Sequence, residues 1–299
     1  MENYTVKPEE AGRRLREILR GPMSISYSAM KSAKWNGRIL LNGEPAFVDV
    51  RVKDGDRVEA VFPEKRPAYQ TVPFYLALKI PYEDDALLIV DKPAPLASQS
   101  SAGHPEDSLE NAVFAHLGCE ENFIYRPVNR LDRGTSGLMV IAKTPHAQDL
   151  LQRQLHTPDF RREYLALTEG VPDPPEGTID APIAKENAAS VRREVRPDGK
   201  PARTDYRVIR AEGGRALVRL RLETGRTHQI RVHLRSIGCP VCGDFLYGRE
   251  LPEEFPGRFA LHSAFLSLRH PLTGERLRFE SLPDWVPREW LPAFSLHFR

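Results

Sequence analysis

The spacing of apolar and polar positions divides the chain into a short opening block and a longer remainder. Ala11, Leu15, Ile18 and Leu19 fall on one helical face, and Gly21 ends that helix. A second helix is predicted from Ser26 to about Lys34, followed by a turn at Asn36-Gly37 and a strand over Arg38–Leu41. After a turn at Asn42-Gly43, the alternation of Val48, Val50 and Val52 predicts another strand. Asp54-Gly55 turns again, and Val58, Val61 and Phe62 close a small sheet. Residues 1–63 thus read as a compact α+β domain. Residues 64–75, polar and proline-bearing, read as a linker, and 76–299 as the larger domain.

In that larger domain, Leu87–Val90 is a short apolar run typical of a central strand, stopped by Lys92-Pro93. Ser108 is placed to cap a helix through Leu117, and Thr144-Pro145 to open one reaching about His156. Leu138–Ala142, Tyr164–Leu167, Tyr206–Ile209 and Ala216–Leu222 are further strands, the last two as antiparallel neighbours. Thr227–Ile237 is a helix stopped by Gly238. Strands outnumber helices, no βαβ alternation recurs and no internal repeat is visible. The fold class expected is α+β, with a mixed, largely antiparallel central sheet and flanking helices.

Composition adds little to this picture but excludes some classes. With 40% hydrophobic and 28% charged residues, the chain is too apolar for a disordered protein. No run approaches a membrane span, and the acidic, polar N-terminus is unlike a signal peptide, so a cytoplasmic protein is expected. The net charge of +2 does not announce a nucleic-acid binder. Its distribution says more. Arg192, Arg193, Arg196, Lys200 and Arg203 stand against only Glu194 and Asp198, and Arg126, Arg130 and Arg133 crowd a second segment. Such clusters suit phosphates, although a solvated surface run is the plainer reading of either alone. Cys119, Cys239 and Cys242 are too few for a disulfide framework. Cys239-x-x-Cys242 has zinc or redox spacing but no second pair, which favours reduced thiols in a packed turn.

Three segments carry candidate chemistry. Asn129–Gly137 is a loop with two glycines leading into an apolar strand; its Asp132 is either a loop cap or a fixed, ionised carboxylate. Arg161-Arg162-Glu163-Tyr164 brings a phenol onto a strand, as core or as a positioned acid, base or stacking surface. In Thr224–His233, helical spacing places His228, Arg231 and Arg235 on one face and Ile230, Leu234 and Ile237 on the other. The basic face is therefore expected to point at a site. The five-residue gap between His228 and His233 does not suit a metal.

Together and in this order, these segments resemble the three signatures of the RluA family of RNA pseudouridine synthases. "YEDDALLIVDKPAPL" resembles the family's opening strand, and "GCPVCGDFLYG" and "FALHSAFLSLRHP" its closing segments. The pattern "GRILLNGEPA…VKDGDRVEA" in the opening block resembles the alpha-L RNA-binding domain of a ribosomal small-subunit protein. The resemblance implies a pseudouridine synthase fold, with Asp132 as the catalytic aspartate, Tyr164 as the active-site tyrosine and Arg231 as the basic partner of the aspartate. Arg130 would help to fill the gap left by a flipped uridine. Arg133, Arg162, Arg226 and His228 are expected to contact RNA, as are Lys31, Lys34 and Arg38 in the opening domain. Asn129 stands where the family mostly has His, and Arg162 where it usually has Lys.

Pseudouridine formation breaks a carbon–nitrogen glycosidic bond and makes a carbon–carbon one. It resembles a one-carboxylate glycoside cleavage in which the base is retained and turned. The resemblance implies no cofactor and no metal. The expected partner is RNA, with large-subunit ribosomal RNA favoured and transfer RNA the other option; no membrane partner is expected, and the protein is expected to be a monomer. The competing readings are a non-catalytic RNA-binding or ribosome-assembly factor, and a nucleoside hydrolase using Glu223 or Asp244 as a second carboxylate.

Overall fold

The computed structural model describes residues 2–23, 25, 27–36, 38–61, 70–119, 121–155, 157–286 and 290. Ser26, Gly37, Phe62, His156 and part of the expected linker lie outside them. The chain forms two units, Met1–Gln70 with Glu121–Ile124, and Thr71–Glu120 with Tyr125–Arg299.

The smaller unit contains β1 (Glu2–Thr5), α1 (Leu15–Arg20), α2 (Tyr27–Asn36), β2 (Arg38–Leu41), β3 (Glu44–Pro45) and β4 (Arg57–Val61). Its sheet has the order β1-β4-β2-β3. Leu15, Ile18 and Leu19 pack with Met30, Ile39 and Val58 into one core. Two expectations fail here. Ala11 is exposed and precedes the helix. The Val48–Val52 alternation does not make a strand. The carbonyls of Val48, Val50 and Val52 instead accept the N–H groups of Arg16, Leu15 and Gly12 at 2.8, 2.7 and 2.8 Å. Two of those donors belong to the first turn of α1, whose N–H groups have no partner within the helix, and they take the acceptors a sheet would have used.

The larger unit continues with β5 (Lys79–Glu83), β6 (Leu87–Lys92), α3 (Leu109–His116), β7 (Ser136–Ala142), α4 (Pro145–Gln154) and β8 (Arg161–Glu169). There follow β9 (Glu176–Asp180), β10 (Ile183–Lys185), β11 (Arg193–Val195), β12 (Arg203–Glu212) and β13 (Arg215–Leu222). The unit ends with α5 (Gln229–Ser236), β14 (Leu261–Arg269) and β15 (Arg276–Glu280). Nine strands form one sheet in the order β5-β6-β7-β14-β8-β13-β12-β9, with β15 also on β14. Every pairing is antiparallel except β7 with β14. This is the mixed, largely antiparallel sheet expected, and β10 and β11 form a separate hairpin beside it. β6 and β7 read as unbroken apolar runs because both faces are covered. Ser108 and Thr144 cap α3 and α4, accepting from the N–H groups of Asn111 and Ala147. Gly137, at φ +106°, lets β7 approach β14, since a Cβ there would lie 2.3 Å from the Ser263 carbonyl oxygen. Among the described residues, no helix is long and apolar enough to cross a membrane.

Candidate active site

The loop before β7 is pinned from several sides. The Ser98 hydroxyl donates to the Leu131 carbonyl at 2.5 Å and accepts the Leu131 N–H at 3.1 Å. Asn129 Oδ1 accepts the N–H of Val140 at 2.9 Å. Under the loop, the fully buried Lys92 ammonium donates to the carbonyls of Leu96, Pro93 and Arg133 at 2.7, 3.0 and 3.5 Å. A Cβ on Gly134 would lie 2.6 Å from the Phe259 ring, so the glycine lets the loop sit down on that ring.

From this loop Asp132 reaches α5. Arg231 Nη1 donates to Asp132 Oδ2 at 3.0 Å. The same guanidinium donates through Nε and Nη2 to both oxygens of Asp244, at 2.7 and 2.8 Å. It also lies over the rings of Phe259 and Tyr247, 4.2 and 4.9 Å from their centroids. Asp244 is fully buried and accepts two further bonds, from the N–H groups of Leu246 and Tyr247. Burial opposes charge on Arg231, but the two carboxylates outweigh it and hold the guanidinium above its ordinary range. Asp132 stays 27% exposed at its side chain, and its Oδ1 receives no hydrogen bond from the described residues. A loop cap it is not, because its side chain is spent on Arg231.

Of the other expected site residues, Tyr164 and His228 lie close enough to interact with Asp132. Tyr164 is buried on β8, where burial, reinforced weakly by Asp132, pushes its phenol up. His228 lies with Nε2 4.0 Å from Asp132 Oδ2, and burial pulls its imidazole below its ordinary value. Arg130, Arg133 and Arg226 are exposed. Arg162, expected to contact RNA, is instead buried, with its guanidinium over the Phe160 ring at 5.6 Å. Lys31, Lys34 and Arg38 are exposed in the smaller unit, on α2 and β2. The basic face expected on α5 is corrected in three respects. The helix starts at Gln229, because His228 is left-handed at φ +59°. Arg235 turns away to the carbonyl of Tyr247, and Ile237, expected inside, is 36% exposed. Cys239 and Cys242 are buried free thiols, and burial pushes Cys242 up to about 12. Among the described residues, no cluster of three or more metal-ligating side chains includes them.

Sequence reasoning missed Lys92, Tyr247 and Phe259, and it weighed Asp244 only as a second carboxylate for hydrolysis. All four stand in segments already noted for their resemblance, but none carries a distinctive chemical pattern of its own. Asp244 cannot serve as that second carboxylate, being saturated with donors. Glu223 is exposed and pairs with Arg203 at 3.3 Å.

A family model described as RNA pseudouridylate synthase matches residues 86–236, which carry both Asp132 and Arg231. An uncharacterized RNA pseudouridine synthase of Bacillus subtilis, YjbO, is 38% identical over 263 residues, covering 87% of this chain and 92% of the relative. Ribosomal large subunit pseudouridine synthase D of Haemophilus influenzae is 36% identical over 311 residues, covering 93% and 90%. Among solved structures, human RNA pseudouridylate synthase domain containing 1 superimposes with a TM-score of 0.58 at 26% identity, over 71% of this chain and 85% of that one.

Proposed function

Since the chain belongs to the RNA pseudouridylate synthase family, we propose that it isomerises a specific uridine of large-subunit ribosomal RNA, using Asp132 as the group that engages the extruded nucleotide. The observation that carries this reading is the state of that carboxylate. It is fixed by a guanidinium at 3.0 Å through one oxygen, while the other oxygen has no hydrogen bond from the described residues and the side chain is 27% exposed. The reaction moves the ribose C1′ from N1 to C5 of the uracil, and the proton lost from C5 is matched by one gained at N1. Nothing is oxidised and nothing leaves, so one reactive carboxylate and one proton-bearing group suffice. Tyr164, kept protonated by burial, is the group we assign to bear the proton or hold the ring. Extruding the base costs a few kcal/mol. The exposed Arg130, Arg133 and Arg226 can offset this by filling the vacated stack and gripping phosphate. Lys31, Lys34 and Arg38 extend the RNA contacts in the smaller unit, and the protein works as a cytoplasmic monomer.

D132N tests the central claim. Asn has the same shape and still accepts from Arg231, so RNA binding should persist while product formation falls by at least about 10³-fold. Undiminished pseudouridine in RNA treated with that variant would remove Asp132 from the mechanism. Mapping pseudouridines in total RNA with and without the protein identifies the target. Loss of a site in transfer RNA, and none in ribosomal RNA, would overturn the substrate class.

A further inference from the structure

A second line of contacts reaches Asp132 through His228, expected from the sequence only as an RNA contact and not used in the reaction proposed above. On β11, the backbone N–H of Arg193 donates to the Tyr247 hydroxyl oxygen at 2.7 Å. The same hydroxyl lies 2.8 Å from His228 Nδ1, with the two rings edge-on at 5.6 Å. The opposite nitrogen, Nε2, faces Asp132 Oδ2 at 4.0 Å.

Proton bookkeeping fixes the direction of this relay. Tyr247 is 3% exposed, and its oxygen already accepts from Arg193. If His228 carried its proton on Nδ1, the phenol would accept twice and its own O–H would be buried without an acceptor, which native structures avoid. The phenol therefore donates to Nδ1. With Nδ1 accepting, the imidazole carries a single proton on Nε2, facing the Asp132 carboxylate, and burial favours the same neutral form.

We infer that His228 is a positioning residue for the reaction proposed above, its Nε2–H closing onto Asp132 Oδ2 when RNA binds, in a tautomer set by Tyr247 and by the Arg193 amide of the β10–β11 hairpin. The gap of 4.0 Å is one that substrate binding commonly tightens to hydrogen-bond length. With Arg231 and His228 both on Oδ2, Oδ1 is left as the reacting oxygen. The hairpin ties this device to RNA. Arg192 lies over the Tyr247 ring at 5.9 Å, and a cleft beside it is lined by Arg192, Arg193, Arg235 and Tyr247 together with Glu186 and Glu194, so the arginines outnumber the carboxylates by one and leave a weakly positive cleft that a backbone phosphate can enter. A strand held there acts on the carboxylate through Tyr247 and His228.

The inference rests on the pseudouridine synthase reading, and the test separates the two. Unmodified large-subunit ribosomal RNA transcript is treated with saturating wild type, Y247F, H228N or H228Q. Single-turnover pseudouridine formation and filter-binding affinity are then read. The Gln amide can place an N–H near Nε2, whereas the Asn amide places one near Nδ1. H228N and Y247F should each slow the reaction by about tenfold, with RNA affinity within about twofold, whereas H228Q should stay within about threefold of wild type. His228 is left-handed at φ +59°, a conformation Asn tolerates better than Gln. A folding defect would thus penalise H228Q first, the reverse of the expected order. Equal rates in H228N and H228Q, or an undisturbed Y247F, overturn the inference while an active wild type upholds the parent reading. An inactive wild type overturns both.

Discussion

Two clusters of carboxylates and arginines in the larger unit invert each other's stoichiometry. Glu163 is 1% exposed at its side chain and pairs with Arg161 at 2.5 Å and with Arg219. Two guanidiniums close on one carboxylate, which has no oxygen facing solvent. The next residue, Tyr164, points to the opposite face of the strand, where burial pushes its phenol up and the charge of Asp132 adds to that more weakly. In that second cluster two carboxylates share one guanidinium, that of Arg231. Asp244 takes two of its N–H groups and two backbone amides besides, while Asp132 takes one and stays accessible. The same residue types thus make a sealed strut where arginine is in excess, and an aimed, incompletely neutralised carboxylate where it is not. Burial alone marks neither as functional, and Glu163 Oε1 also lacks a hydrogen bond; what sets Asp132 apart is a spare acceptor that solvent can reach.

The contrast predicts different damage from similar mutations. D244N should have the larger effect, because it strips Arg231 of its two-pronged anchor and lets the guanidinium shift toward Asp132. A displacement of about 1 Å costs about 10²-fold in rate, and breaking a buried pair costs about 3 kcal/mol or more. Single-turnover pseudouridine formation and denaturant unfolding check the two parts, and a D244N protein with wild-type rate would dissolve the distinction between anchor and reactive group. E163Q comes next. It leaves Arg161 and Arg219 without their carboxylate, so stability should fall by about 3 kcal/mol while the rate per folded molecule is unchanged. If E163Q kept its stability and lost its rate, the strut would have to be reassigned to the chemistry.

The site is legible in the sequence only where it follows from local pattern or from family resemblance. Asp132 and Arg231 stand in segments that could be singled out, although 99 residues separate them. The caps at Ser108 and Thr144 and the turns at Asn42-Gly43 and Asp54-Gly55 follow from local backbone chemistry, and the structure has them. Periodicity is blind to three things. It does not report that Val48–Val52 offers its carbonyls to a helix N-terminus, since alternation encodes side-chain facing and not backbone partners. Nor does it report that His228 turns left-handed, which shortens α5 and frees the imidazole to face Asp132. Helical spacing placed Arg231 and Arg235 together, yet Arg231 is drawn inward by Asp244 and two aromatic rings while Arg235 finds a carbonyl instead. Asp244, Tyr247 and Phe259 matter only through where a long loop returns, and no single-sequence signal encodes that return.

Lys92 extends the same comparison to the weakest expected effect. It is a buried cation beneath the Asp132 loop, and among the described residues no carboxylate pairs with it and its hydrogen bonds go only to carbonyls. Burial drags its ammonium down to about 7, against the pull of Asp132. In the unfolded chain the same group titrates near 10.5. Between those values the unfolded state holds a proton that the folded state has released, so the contribution to stability rises with pH across about 7 to 10.5 and is lost as pH falls through that window. The slope is at most about 1.4 kcal/mol per pH unit. Other groups titrate in the same range, including the buried thiols, so the quantity to measure is the difference between wild type and K92M in denaturant unfolding at pH 7, 8 and 9. That difference should grow with pH. A flat difference would mean that the three carbonyls keep the ammonium charged throughout, and the loop under Asp132 would then rest on a permanent buried cation, as the Glu163 strut rests on its arginines.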